Sequence, residues 1–113
     1  MTDRELLELA AKAAGINGWF IEDDEWLGTG ITFTDENDCN QCWNPLTDDG
    51  DALRLAVKLE MEVNQSTSRV KAPDRSHVKP RYVVVPIEDD DDPYAATRRA
   101  IVRAAAEIGK EMK

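Results

Sequence analysis

Asp49-Gly50-Asp51-Ala52-Leu53-Arg54-Leu55-Ala56-Val57-Lys58-Leu59-Glu60-Met61-Glu62-Val63-Asn64 changes its hydrophobic period midway. In the first part Ala52, Leu53, Ala56, Val57 and Leu59 recur at helical spacing. They follow Thr47-Asp48-Asp49-Gly50-Asp51, which offers N-cap oxygens and negative charge to a helix N-terminus. This predicts a helix over about residues 49–59, with those five apolar side chains as its buried face. From Leu59 onward, Leu59, Met61 and Val63 alternate with Glu60, Glu62 and Asn64, the period of a strand with one wet face. Val70 to Ala72 can pair with that strand across the turn from Asn64 to Ser68. Tyr82-Val83-Val84-Val85 is a short β-branched run of the composition expected for a central strand.

Working outward, Thr2-Asp3-Arg4-Glu5 is a capping-box pattern. Leu6, Ala10, Ala13 and Ala14 follow at helical spacing, and Gly15 suits a left-handed C-terminal position, so residues 3–14 read as a helix. Trp19-Phe20-Ile21 and Ile31-Thr32-Phe33 read as strands, the polar run Thr34 to Gln41 as a loop, and Asn44-Pro45 as a stop. At the far end Asp92 can cap a helix with Pro93 in its first turn. Tyr94, Thr97, Ile101, Ala105, Ile108 and Met112 would form its inward stripe, leaving Arg98, Arg99 and Arg103 outside. The order helix, strands, helix, strands, helix is too irregular for a parallel βαβ array. The expectation is one α+β domain over residues 1–113, a small, largely antiparallel sheet packed by three helices.

Composition limits what such a domain can do. With 113 residues and 42% hydrophobic content, the chain can fill a single core but not two. Fourteen basic against 23 acidic residues give a net charge of −9, which opposes sequence-independent attraction to nucleic acid or anionic lipid. No run is long and apolar enough for a membrane helix, and the charged start Met1-Thr2-Asp3-Arg4-Glu5 does not resemble a signal peptide, so the expected location is the cytoplasm. The charge is uneven. Glu22 to Glu25, Asp35 to Asp38 and Glu88 to Asp92 are acidic clusters, while Arg69, Lys71, Arg75, Lys79 and Arg81 form one basic segment that could hold an anion or a nucleotide.

Two features could carry more specific chemistry. Cys39-Asn40-Gln41-Cys42 has the spacing of a zinc-chelating or redox pair, with His77 as the sole histidine to serve as a third ligand. A structural zinc site needs a fourth ligand, and a redox pair needs a helix start, whereas Pro45 follows almost at once. Reduced cysteines without cofactor or metal are therefore the expected state, and His77, among Arg75, Ser76 and Lys79, reads as a loop residue. No nucleophile elbow, phosphate loop or calcium loop is completed, so no enzymatic activity is expected. Of Trp19, Trp26 and Trp43, at least two are expected in or near the core. Trp26, between Glu25 and Leu27-Gly28, is the best candidate for an exposed aromatic.

The segment Trp43-Asn44-Pro45-Leu46-Thr47-Asp48-Asp49-Gly50-Asp51-Ala52-Leu53-Arg54-Leu55, the opening helix from Thr2 to Gly15 and the closing Ala-rich helix through Arg99, Ala105 and Gly109 together resemble small phage proteins of the ABA-sandwich and NinX-like type. Residues 64–81 lie outside the resemblance. It implies an α-β-α sandwich and a phage or prophage origin, in a bacterial host cell, and brings no catalytic residues. The resulting expectation is a non-enzymatic accessory protein that binds a host or phage macromolecule through acidic surface, with Trp26, Asp89, Asp90 and Asp91 as contact residues. The rival readings are a small-molecule or nucleotide-binding protein using residues 69–81, and a zinc or redox protein using Cys39, Cys42 and His77.

Overall fold

In the computed structural model, which describes residues 1–75 and 81–112, the chain runs α1 (Asp3–Ala14), β1 (Trp19–Asp24), β2 (Gly28–Thr34), β3 (Asn40–Trp43), α2 (Asp49–Lys58), β4 (Glu62–Asn64), β5 (Arg69–Asp74), β6 (Arg81–Pro86) and α3 (Pro93–Glu111). The class is α+β, and the antiparallel strands are divided between two three-stranded sheets, β1-β2-β3 and β4-β5-β6. Among the described residues no helix is long and apolar enough to cross a membrane.

Each helix starts where a side-chain oxygen meets free amides. Thr2 accepts from the Glu5 amide, Asp48 from the Asp51 amide, and Asp92 from the amides of Tyr94 and Ala95. Gly15 ends α1 at φ 74°, a conformation that costs a residue with a Cβ far more. Helix α3 is the spine. It packs on β5 and β6, on α2, and along the whole of α1. The seam with α1 is tight because small residues line it, and a Cβ placed on Gly109 would come within 2.0 Å of the Leu9 carbonyl oxygen. One cluster of buried side chains runs through all three helices and both sheets, including Leu7, Ile31, Leu55, Val70, Val85 and Ile101.

Strand β5 is the centre of the second sheet although it contains Pro73. Its partner β4 spans only Glu62–Asn64, opposite Lys71 to Arg69, so the missing Pro73 amide falls beyond the end of that ladder. Tyr82-Val85, expected at the centre, is instead the edge strand β6, with Tyr82 and Val84 exposed. Strand β3 occupies part of the expected loop; its outer residues are polar and exposed, so no apolar alternation marks it.

Two helix faces differ from the periodicity reading. In α2 the core takes Ala52, Leu55 and Ala56, while Leu53 and Val57 are 65% and 69% exposed. Both stripes have helical spacing, and packing against α3 selects the narrower, Ala-containing one. In α3, Ile101, Ala105 and Ile108 are buried as expected, but Tyr94 is exposed. Arg98 does not lie outside. Its side chain is 17% exposed, and it donates from Nε to the Leu46 carbonyl at 2.9 Å and from Nη1 to Asp49 at 2.6 Å, tying α3 to the start of α2.

Candidate functional site

The turn between β1 and β2 is built around one carboxylate. Asp24 Oδ1 accepts from the amides of Trp26 at 2.9 Å and Leu27 at 3.0 Å, while the Thr29 hydroxyl accepts from the Asp23 amide at 2.9 Å. The Leu27 amide, and then the Trp26 amide, hold the Asp24 carboxyl below its ordinary range, so the turn carries a full negative charge at neutral pH. Leu27 is half-buried, and Trp26 beside it is 87% exposed. An indole held out on a braced turn, among Glu22, Asp23, Asp24 and Glu25, is arranged for contact with something outside the molecule.

The second acidic element leads into α3. Glu88 pairs with Arg103 at 3.0 Å and Asp92 caps the helix, so the two ends of the cluster serve the fold. Between them Asp89, Asp90 and Asp91 are all exposed, with Asp90 accepting from the Asp92 amide at 3.0 Å. Trp26 belongs to the first sheet and Asp89 to Asp91 to the segment after the second; among the described residues no hydrogen bond or ion pair joins them.

The other tryptophans divide differently from the expectation that at least two are buried. Trp43 is in the core, but Trp19 is 60% exposed. Strand alternation puts Trp19 on the face of Thr32, opposite the Phe20–Ile31 pair that faces α1. Sequence spacing does not reveal which face of a strand a helix will cover.

Cys39 and Cys42 are both free thiols. Cys42 is half-buried in β3, and Cys39 is exposed just before that strand begins. Burial, followed by the charges of Asp51 and Asp24, pushes the Cys42 thiol up, away from the thiolate that metal binding and redox exchange use. Among the described residues no group of three or more His, Cys, Asp or Glu is arranged to hold a metal ion, and His77 lies outside the described residues.

The basic segment is largely committed to neighbours. Arg81 donates to the fully buried Asp74 at 3.1 Å, Arg75 pairs with Glu60, and the Lys71 ammonium sits 4.2 Å over the Tyr82 ring. Arg69 is exposed on β5, and Lys79 lies outside the described residues. Among the described residues, Lys71, Arg75 and Arg81 each meet a different partner. The exposed side chains of Leu53, Val63 and Tyr94 border a cleft of about 490 Å³ between α2 and α3, which helical spacing does not reveal because it places Leu53 and Tyr94 on buried stripes.

No family model, no curated protein and no solved structure matches this chain.

Proposed function

We propose that the chain is a non-enzymatic accessory protein of phage or prophage type, acting in the bacterial cytoplasm by binding a host or phage macromolecule that presents a basic surface. The observation that carries this reading is Trp26, 87% exposed on a turn whose own carboxylates surround it. An acidic rim speeds encounter with a basic partner, and an aromatic anchor slows release once the two have met. The exposed Asp89, Asp90 and Asp91 add to the same field, and the net charge of −9 extends it over the molecule.

The test uses affinity capture from host lysate with three baits: the native chain, Trp26→Ala, and a variant with Asp89, Asp90 and Asp91 all changed to Asn. A partner retained by the native chain should be released faster from Trp26→Ala and captured more slowly by the triple Asn variant. Raising ionic strength beyond about 0.15 M, where the Debye length is about 8 Å, should weaken capture further. If all three baits retain the same proteins with the same salt dependence, the acidic contact reading is wrong.

A further inference from the structure

Helix α2 packs on α3 and is tied to the first sheet at its start, where Asp51 Oδ2 accepts from the Asn44 amide at 3.0 Å. Between the rest of α2 and that sheet is a pocket of about 540 Å³, inside the range of about 300–1,000 Å³ usual for small-molecule sites. Strand register explains its floor. Ile31 pairs with Trp43 and Phe33 with Gln41, so by alternation all four share one face of the sheet. Helix α1 ends at Ala14, and Gly15 turns the chain away, so Ile31 is fully covered while Phe33 is left half-buried. Ile16, Phe33, Trp43 and Leu55 of α2 supply the apolar walls.

Asp35, Asp51, Arg54 and Lys58 also line the pocket, and the first three are already engaged. Asp51 accepts from the Asn44 amide and, through Oδ1, from Arg54 Nη2 at 2.8 Å; Arg54 lies 3.8 Å from Asp48 as well. Asp35 uses both oxygens in its own turn, Oδ1 accepting from the Asn37 and Cys39 amides and Oδ2 from the Gln41 side chain. Lys58, exposed in the last turn of α2, has no hydrogen-bond or ion-pair partner among the described residues. The pocket thus joins apolar walls to one ammonium that still lacks a counter-ion, in a molecule whose net charge of −9 otherwise repels anions.

We infer that this pocket takes a small aromatic carboxylate, its ring system against Phe33, Trp43, Ile16 and Leu55 and its carboxylate toward the Lys58 ammonium. The ring covers apolar surface that α1 and α2 leave open, and the carboxylate supplies the counter-ion that the chain does not. A cationic ligand would have to compete with Arg54 for Asp51, and with two amides and Gln41 for Asp35. A phosphate would meet a single ammonium where such groups ordinarily gather several converging donors. The site is separate from the acidic contact surface proposed above, which uses the β1–β2 turn and residues 89–91, and does not rest on it.

Three probes of one size and different charge test this: naphthalene-2-carboxylate, 2-naphthylmethanol and 2-naphthylmethylammonium, each titrated into the full chain at neutral pH with amide-resolved NMR. The carboxylate should saturate a single site with a Kd of about 1 mM or tighter, moving the Ile16, Phe33, Gln41 and Leu55 amides. The alcohol should move the same amides with an affinity about fivefold lower, because it keeps the ring and lacks the charge. Lys58→Glu, at an exposed position, should weaken the carboxylate by about fivefold or more and leave the alcohol unchanged, so the alcohol also reports that the pocket is intact. Phe33→Ser should weaken both probes together; if that variant does not fold, Lys58→Glu and the comparison of probes carry the test. Absence of saturable movement at these amides overturns the inference. So does tighter binding of the ammonium probe than of the carboxylate, or a carboxylate affinity that Lys58→Glu leaves unchanged.

Discussion

The two sheets have the same plan, three antiparallel strands in chain order, but among the described residues their turns are fastened by different chemistry. In the first sheet both connections depend on a carboxylate: Asp24 accepts the Trp26 and Leu27 amides, and Asp35 accepts the Asn37 and Cys39 amides at 2.9 Å and the Gln41 side chain at 3.0 Å. In the second sheet the β4–β5 turn depends on a neutral amide, Asn64 accepting from the Thr67 amide at 3.2 Å. An Asx residue closes each of these turns, and an ionised acceptor binds amides more strongly than a neutral one. The first sheet therefore gains firmer turns and a concentrated negative field around Trp26. In the second sheet Asp74 of β5 pairs with Arg81 of β6, and just before β4 Glu60 pairs with Arg75.

The sharpest way to break this comparison is to ask whether the sheets unfold separately. Ile31 is buried in the centre of the first sheet, and Ile101 in the α3 face that joins the shared core. Truncating either to alanine should cost about 2–5 kcal/mol. Because one core cluster spans both sheets, each variant should lower a single melting transition seen alike by near-UV and far-UV circular dichroism. Two transitions in Ile31→Ala would mean that the first sheet is an independent unit.

The joints between the halves should show somewhat smaller effects. Arg98→Ala removes a charged donor from the Leu46 carbonyl and from Asp49, and should cost about 1.5–3 kcal/mol in denaturant unfolding. An effect below about 0.5 kcal/mol would return Arg98 to the solvent side, where helical periodicity had put it. Gly109→Ala would drive a methyl into the Leu9 backbone and should cost about 1–3 kcal/mol, against a gain in helix propensity of about 1 kcal/mol at an unobstructed site. A stabilised Gly109→Ala would show that the α1–α3 seam has room to spread.

How much of this was legible follows from where the information resides. The three helices, their caps and Gly15 could be read directly, because capping oxygens and apolar spacing act within a few residues. The β4–β5 hairpin was legible for the same reason. What failed depended on a distant surface. Leu53 and Val57 have helical spacing as good as that of Ala52 and Ala56, and only the approach of α3 decides between them. Val83 to Val85 suit a buried strand, yet nothing in those residues says whether a neighbour lies on one side or both. Strand β3 has polar outer residues and takes its place by pairing with β2. In the candidate site, the exposure of Trp26 and of Asp89 to Asp91 was readable from their charged surroundings, whereas Trp19 was misplaced because its face depends on α1.

The smallest expected effect tests the fastening itself. Asp24 and Asp35 have carboxyls held below their ordinary range, Asp24 by the Leu27 and Trp26 amides and Asp35 by the Cys39 amide foremost, with Asn37 and Gln41 adding to it. A depressed folded-state value means that the stabilisation is complete above the unfolded carboxylate range, near pH 4, and is lost as pH falls through the lower folded values. In an amide-resolved acid titration, the Trp26, Leu27, Asn37 and Cys39 resonances should therefore move below pH 4, each following its own carboxylate. The Thr67 amide, held by Asn64, should not follow those titrations. Asp24→Asn should abolish the movement at Trp26 and Leu27 and leave that at Cys39 unchanged, because each turn answers to one acceptor. A Thr67 resonance that tracked Asp24, or a Trp26 resonance still titrating in Asp24→Asn, would show that the turns respond to the global charge of the molecule and that the contrast between the two sheets is not one of local chemistry.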